Sequence, residues 1–131
     1  MSVSHTVKRT VTGAVAPEVE SFAFSPEHQE QVGKILARYP AARRASAIIP
    51  LLHLAQDQHG GWLPRAVLDH VADLVGVAPI RVYEVASFYD MFNTKPTAKV
   101  QGRVCTTTPC WLCGSDEIVR AAKDVLGIDM E

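Results

Sequence analysis

The stretch VCTTTPCWLCGSDEI, residues 104–118, decides how this chain is read. All three cysteines of the 131 residues fall inside it, at Cys105, Cys110 and Cys113, after an alternating run and directly before a helical pattern. A short loop between a strand and a helix lets side chains four or five positions apart turn toward one centre. Converging thiolates are ligands for soft metals and iron-sulfur clusters. A thiolate site is therefore the first functional expectation.

Upstream of the loop, Lys99 to Cys105 alternates, with Val100, Gly102 and Val104 at the period of a half-buried strand. Downstream, Ser115 is placed to cap a last helix, with Asp116 and Glu117 complementing its dipole. Ile118, Val119, Ala122, Val125 and Leu126 would form its inner face, and Gly127 follows it. One strand and one helix do not make a domain by themselves.

Farther upstream the pattern is helical. Ser25-Pro26 is a start signal, and Val32, Ile35, Leu36 and Tyr39 share one face before Pro40 stops the helix. A second helix is expected from about Arg43 to Gln58, with Ile48, Leu51, Leu52 and Ala55 inward and Gly60-Gly61 closing it. Pro50 must kink that helix or mark its first turn. Pro64 is expected to open a third helix, with Val67, Leu68, Val71, Leu74 and Val75 on its apolar face up to Gly76. Pro79 opens a fourth, carrying Ile80, Val82, Tyr83, Val85, Ala86 and Tyr89.

Short connections between four helices predict an antiparallel bundle. His53, His59 and His70 read as ordinary polar or cap residues, and Trp62 as the anchor of the turn between helices two and three. Phe88, Tyr89, Met91 and Phe92 are expected in the core, with docking as the alternative. Residues 1–24 keep no persistent pattern and read as a flexible or loosely docked extension. The segment Met1–Ala16 has Lys8, Arg9 and several hydroxyls but no acid, which makes a transit peptide the lesser alternative.

Composition narrows the function classes. The chain has 13 basic and 14 acidic residues for a formal net charge of −1, so a nucleic-acid binder working by phosphate neutralisation is not expected. No run approaches the roughly 18 consecutive apolar residues of a membrane span, so no direct membrane insertion is expected. Three closely spaced cysteines do not make a secreted disulfide framework, which favours a reducing compartment.

Four chemistries compete for the thiols. Free cysteines often serve as small buried apolar groups, but clustering argues against that for all three. Cys110 and Cys113 form a C-x2-C pair before a helix, as in a thiol-disulfide oxidoreductase, although Trp111-Leu112 is a bulky dipeptide between them. Zinc would want a second such pair or histidines at ligand spacing, and His5, His28, His53, His59 and His70 do not provide it. Iron-sulfur ligation remains, and C-x4-C-x2-C taken literally opens a plant-type ferredoxin motif using Cys105, Cys110 and Cys113.

Three segments together carry a resemblance: SAIIPLLHLAQDQHGGWLP (46–64), LDHVADLVGVAPIRVYEVASFYDMF (68–92) and VCTTTPCWLCGSDEI (104–118). In order and spacing the chain resembles the E-subunit family of NADH-quinone oxidoreductases, the thioredoxin-like [2Fe-2S] ferredoxin subunits of respiratory complex I. The resemblance implies an α+β fold in which an N-terminal four-helix bundle precedes the first strand and helix of a thioredoxin-like [2Fe-2S] ferredoxin domain. It implies a flexible extension over 1–24, the bundle over 25–95 and a partial ferredoxin domain over 96–131.

In that family two cysteines at C-x4-C spacing and two at C-x3-C spacing farther along hold the cluster. Cys105 and Cys110 match the first pair, whereas Cys113 matches no ligand and reads as a nearby thiol. The second pair falls beyond Glu131, so the remaining two ligands are expected from outside this sequence. The implied function is one-electron transfer in an NADH-quinone oxidoreductase, with no independent catalysis by this chain. FMN and NADH belong to a flavin-containing partner subunit, with other peripheral-arm subunits as further partners. The implied location is cytoplasmic and peripheral to the inner membrane, the mitochondrial matrix being the lesser alternative. The equivalent subunit of an NAD-linked formate dehydrogenase or hydrogenase is the alternative within this class.

Overall fold

Prolines and glycines set the helix boundaries. In this computed structural model, which describes residues 19–97 and 102–127, helix α1 runs Pro26–Ala37 with Ser25 as its cap. The Ser25 hydroxyl accepts the His28 amide at 3.4 Å and lies 2.6 Å from His28 Nδ1. Proline at the first helical position costs nothing there, because that N–H has no helical acceptor.

The single helix expected over Arg43–Gln58 is instead two elements. A 3-10 segment spans Ala41–Ala47, with Arg43 non-helical at φ −128° and ψ 25°, and helix α2 spans Ile48–Gln58. Pro50 explains the division. In a continuous helix its ring would meet the carbonyl four residues back, whereas in the first turn of a helix starting at Ile48 it is tolerated. Pro64 likewise caps helix α3, Arg65–Val75, from outside rather than opening it. Gly76 ends α3 at φ +78°, and both its amide and that of Val77 reach the Ala72 carbonyl, at 2.8 and 3.1 Å. Space is open around Gly76, so the left-handed backbone alone asks for glycine. Helix α4 then runs Pro79–Phe88.

Helix α3 packs on α2 and α4, and α1 packs on α2. Their shared core includes Leu51, Leu52, Leu63, Val67, Val71, Val82 and Phe92, all fully buried. Order begins before the expected Ser25. Phe24 is buried, Phe22 and Phe24 both meet the His70 ring at 5.6 Å, and Gln58 bonds the Ala23 carbonyl and the Ser25 amide. His53, His59 and His70 thus pack on aromatic rings rather than standing only as polar surface, His53 on Phe92 and His59 on Trp62.

The aromatic group at the end of α4 divides. Phe92 is core and Met91 packs against it, but Phe88 is 80% exposed and Tyr89 38%. The core expectation fails for Phe88 and Tyr89 because Val82 and Ala86 hold the inward face of α4. Ile80 is exposed for the same reason.

Residues 91–93 are held by side chains instead of a ladder. Gln56 Nε2 donates to the Met91 carbonyl at 3.1 Å, and Gln56 Oε1 accepts the Asn93 amide at 2.9 Å. Asn93, itself buried, donates from Nδ2 to the Gly61 carbonyl at 2.9 Å and accepts the Leu63 amide at 2.7 Å.

The cysteine segment belongs to a second compact unit. It contains α5, Thr108–Leu112, and α6, Ser115–Leu126. Among the described residues there is no strand: 102–106 carry no regular secondary structure, and Lys99–Gln101 lie outside the described residues. Alternation alone does not make a strand, since the ladder needs a hydrogen-bonding partner.

Ser115 is not the cap of α6. Gly114 holds that position at φ +92°, and Ser115 is the buried first residue of the helix. The backbone between α5 and α6 is left-handed at residue 114, and glycine, with no Cβ to clash there, takes the cap position. Of the expected inner face of α6, Val119 and Ala122 are half-buried, while Ile118, Val125 and Leu126 are exposed.

Gln56→Ala removes an acceptor and a donor from half-buried backbone groups and is expected to destabilise the protein by about 1–3 kcal/mol. Lys34→Ala, which breaks an exposed pair with Glu30, should stay within roughly 0.5 kcal/mol. Urea unfolding of the two variants side by side checks this; equal midpoints would show that the Gln56 bonds do not hold residues 91–93.

Candidate functional site

The loop is built by proline and threonine. Thr107 is extended and caps α5, Pro109 occupies its first turn, and the Trp111 amide returns to the Thr107 carbonyl at 2.8 Å. Cys110 therefore lies within the helical turn and is half-buried, whereas Cys105, in the irregular segment before it, is exposed. Cys113 ends the turn, its amide reaching the Cys110 carbonyl at 3.1 Å and the Pro109 carbonyl at 3.2 Å, and it too is exposed.

Two sulfurs come together. The Cys105 and Cys110 thiols interact by a hydrogen bond, and Cys105 Sγ lies 3.1 Å from Thr107 Oγ1. The Thr107 hydroxyl, then its backbone, then the Cys110 thiol hold Cys105 below the ordinary thiol pKa, because each favours the thiolate. Cys110 moves the opposite way. Its contact with Cys105 raises it first, then partial burial, then the nearby charges of Cys105 and Cys113. The two thiols are therefore pushed in opposite directions.

The three cysteines do not form one metal-holding group. Among the described residues no set of three or more histidine, cysteine, aspartate or glutamate side chains is placed to hold a metal ion. Trp111 is 56% exposed and donates its indole N–H to Asp116 Oδ2 at 2.9 Å. Core packing is therefore not its role within this unit. Asp116 was read only as a dipole partner of α6. The tryptophan five residues before it was the signal for a second use, which spacing alone does not disclose. Thr107, one of three adjacent threonines, places its hydroxyl against the Cys105 sulfur.

A helical unit followed by a C-x4-C loop, with its two sulfurs in contact, defines a cysteine-loop protein whose donors suit soft metal chemistry. The thioredoxin-like [2Fe-2S] ferredoxin family model matches residues 32–131, and this chain belongs to that family.

Relatives agree with it. A protein of Rickettsia bellii, named as the E subunit of NADH-quinone oxidoreductase, is 46% identical over 114 residues, covering 87% of this chain and 68% of the relative. A Rickettsia conorii protein of the same name is 44% identical over the same shares. The Dictyostelium discoideum protein named NADH dehydrogenase [ubiquinone] flavoprotein 2, mitochondrial, is 51% identical over 109 residues, covering 83% of this chain and 44% of the relative.

A [2Fe-2S] centre of the four-cysteine type takes a thiolate pair on each iron. The Cys105 and Cys110 sulfurs, in contact and with one already biased toward thiolate, fit one such pair.

Thr107→Val deletes the hydroxyl that favours the Cys105 thiolate. The pH profile of Cys105 alkylation should lie at higher pH in the variant than in the wild type. Mass-resolved alkylation of the metal-free chain measures both; an unmoved Cys105 profile would mean that the 3.1 Å contact does not bias the thiol.

Proposed function

We propose that this chain is an electron-transfer subunit of a respiratory NADH-quinone oxidoreductase, and that Cys105 and Cys110 supply one thiolate pair of its [2Fe-2S] cluster. The observation that carries this reading is the Cys105 and Cys110 pair at C-x4-C spacing, with Thr107 Oγ1 3.1 Å from the Cys105 sulfur, in a chain that belongs to the [2Fe-2S] ferredoxin family. When bound, the cluster supplies reversible one-electron transfer. The chain's own residues bind and bias it. Thr107 gives a hydroxyl to the Cys105 sulfur, and Pro109 stiffens the turn that presents Cys110. Hydrogen bonds to sulfur favour the more negative, reduced state and so raise its potential. No side chain acts as an acid, base or nucleophile in such a step.

In this reading residues 1–24 are an extension whose Phe22 and Phe24 pack on the helical unit, 25–95 a helical docking module and 96–131 part of the ferredoxin domain. The partner is the flavin-containing, NADH-oxidising subunit, which holds FMN and NADH, and the complex associates peripherally with the inner membrane from the cytoplasm. No helix among the described residues is long and apolar enough to cross a membrane. A shallow groove lined by Glu84, Val85, Ser87, Phe88 and Tyr89 offers the module an apolar contact surface. The names of the relatives favour the quinone-linked complex over a formate dehydrogenase or hydrogenase.

Cys105→Ser and Cys110→Ser, each assembled with the other peripheral subunits, should abolish the electron-spin-resonance signal of this cluster, while Cys113→Ser keeps it. A signal retained in Cys105→Ser would falsify the assignment. Replacing both Phe88 and Tyr89 by alanine should reduce co-purification with the flavin-containing subunit at least tenfold, a loss of about 1.4 kcal/mol or more. Undiminished co-purification would remove the groove from the docking surface.

A further inference from the structure

Cys113 has no part in the proposed thiolate pair, yet it ends the same helical turn that carries Cys110. Its amide donates to the Cys110 carbonyl at 3.1 Å, which is the hydrogen bond of one closed turn. Residues three apart in such a turn have Cα atoms about 5 Å from each other. A disulfide needs roughly 4.4–6.8 Å, so the backbone already holds this pair at bonding distance.

The surroundings allow the bond to close. Trp111 and Leu112, the two residues between the cysteines, are 56% and 73% exposed, so their adjustment disturbs no core. Gly114, next in the chain, is already in the left-handed region and can absorb a change in ψ at Cys113. Cys113 is exposed to small reagents and Cys110 half-exposed.

We propose that Cys110 and Cys113 form a reversible dithiol-disulfide site whose substrates are small disulfides of the glutathione class. Its oxidised form takes Cys110 away from Cys105. The Cys113 thiolate attacks one sulfur of the small disulfide, forming a mixed disulfide and expelling the first small thiolate. The Cys110 thiolate then attacks the Cys113 sulfur, closing the ring and expelling the second. The protons of the two protein thiols end on the two expelled thiols, and two electrons pass from the protein pair to the small disulfide.

Cys110 is thus the shared residue. It pairs with Cys105 when it serves as a ligand and with Cys113 when oxidised, and the two states exclude each other. The exclusion of cluster binding rests on the ligand role proposed above; formation of the disulfide does not.

The rival product is a Cys105–Cys110 disulfide, since those two thiols are also in contact. Chymotrypsin distinguishes them, because cleavage after Trp111 or Leu112 separates Cys110 from Cys113. The metal-free 131-residue chain is equilibrated anaerobically with oxidised and reduced glutathione, free thiols are alkylated, and the digest is read by mass spectrometry without reduction.

The expected result is the Cys110 and Cys113 fragments joined, Cys105 alkylated, separation of the fragments on adding dithiothreitol, and complete loss of the link in Cys113→Ser. Cys105→Ser should keep the link. A Cys105–Cys110 product, or only mixed disulfides with glutathione, would overturn the proposal. Because the mapping uses no iron, its failure is distinct from failure of the cluster assignment, which the spin-resonance signal of Cys105→Ser tests.

Discussion

The helical unit is closed by one side chain. Gln56, on the half-buried flank of α2, donates to the Met91 carbonyl and accepts the Asn93 amide, so a single amide satisfies two backbone groups that a neighbouring strand would otherwise pair. Asn93 repeats the device toward Gly61, and its carbonyl takes the Leu63 amide. These bonds bring the segment after α4 against the turn between α2 and α3, and Phe92, between the bonded residues, is thereby driven into the core. Without them residues 91–93 would carry unsatisfied backbone groups beside an apolar interior, an arrangement that natural folds avoid.

The cysteine loop works on the same principle of local backbone geometry with different consequences. Proline and threonine at the start of α5 fix the helical turn, the turn places Cys110, and the irregular segment before it brings Cys105 into contact. Two thiols in contact do not titrate independently. The Thr107 hydroxyl favours the Cys105 thiolate, and the interaction with Cys105 raises Cys110.

Much of the helical unit was legible in the sequence because it depends on short-range chemistry. Ser25-Pro26, Gly76 and Pro79 act through backbone dihedrals and missing donors, and they mark α1, α3 and α4 to within a residue or two. The inward positions Leu51, Leu52, Val67, Val71 and Val82 follow from helical period. Where sequence reasoning failed, two local rules competed. Arg43–Gln58 has a helical period, but Pro50 admits only a helix that begins just before it. At residues 114 and 115, serine is the better cap by propensity, yet the backbone at 114 is left-handed and glycine takes the position.

The sequence by itself determined the composition of the site: three thiols in nine residues, a proline and threonines among them, and a C-x4-C spacing that matches a known family. It also determined that the chain before them would be helical, because period and capping are local properties. Only the tertiary structure decided which threonine touches which sulfur, that Cys110 shares a contact with Cys105 and a helical turn with Cys113, and that Phe22 and Phe24 dock on His70. Those outcomes depend on the direction in which side chains leave the backbone once turns and caps are fixed, and on which surfaces are already covered by other residues. Neither quantity is a function of residue order alone.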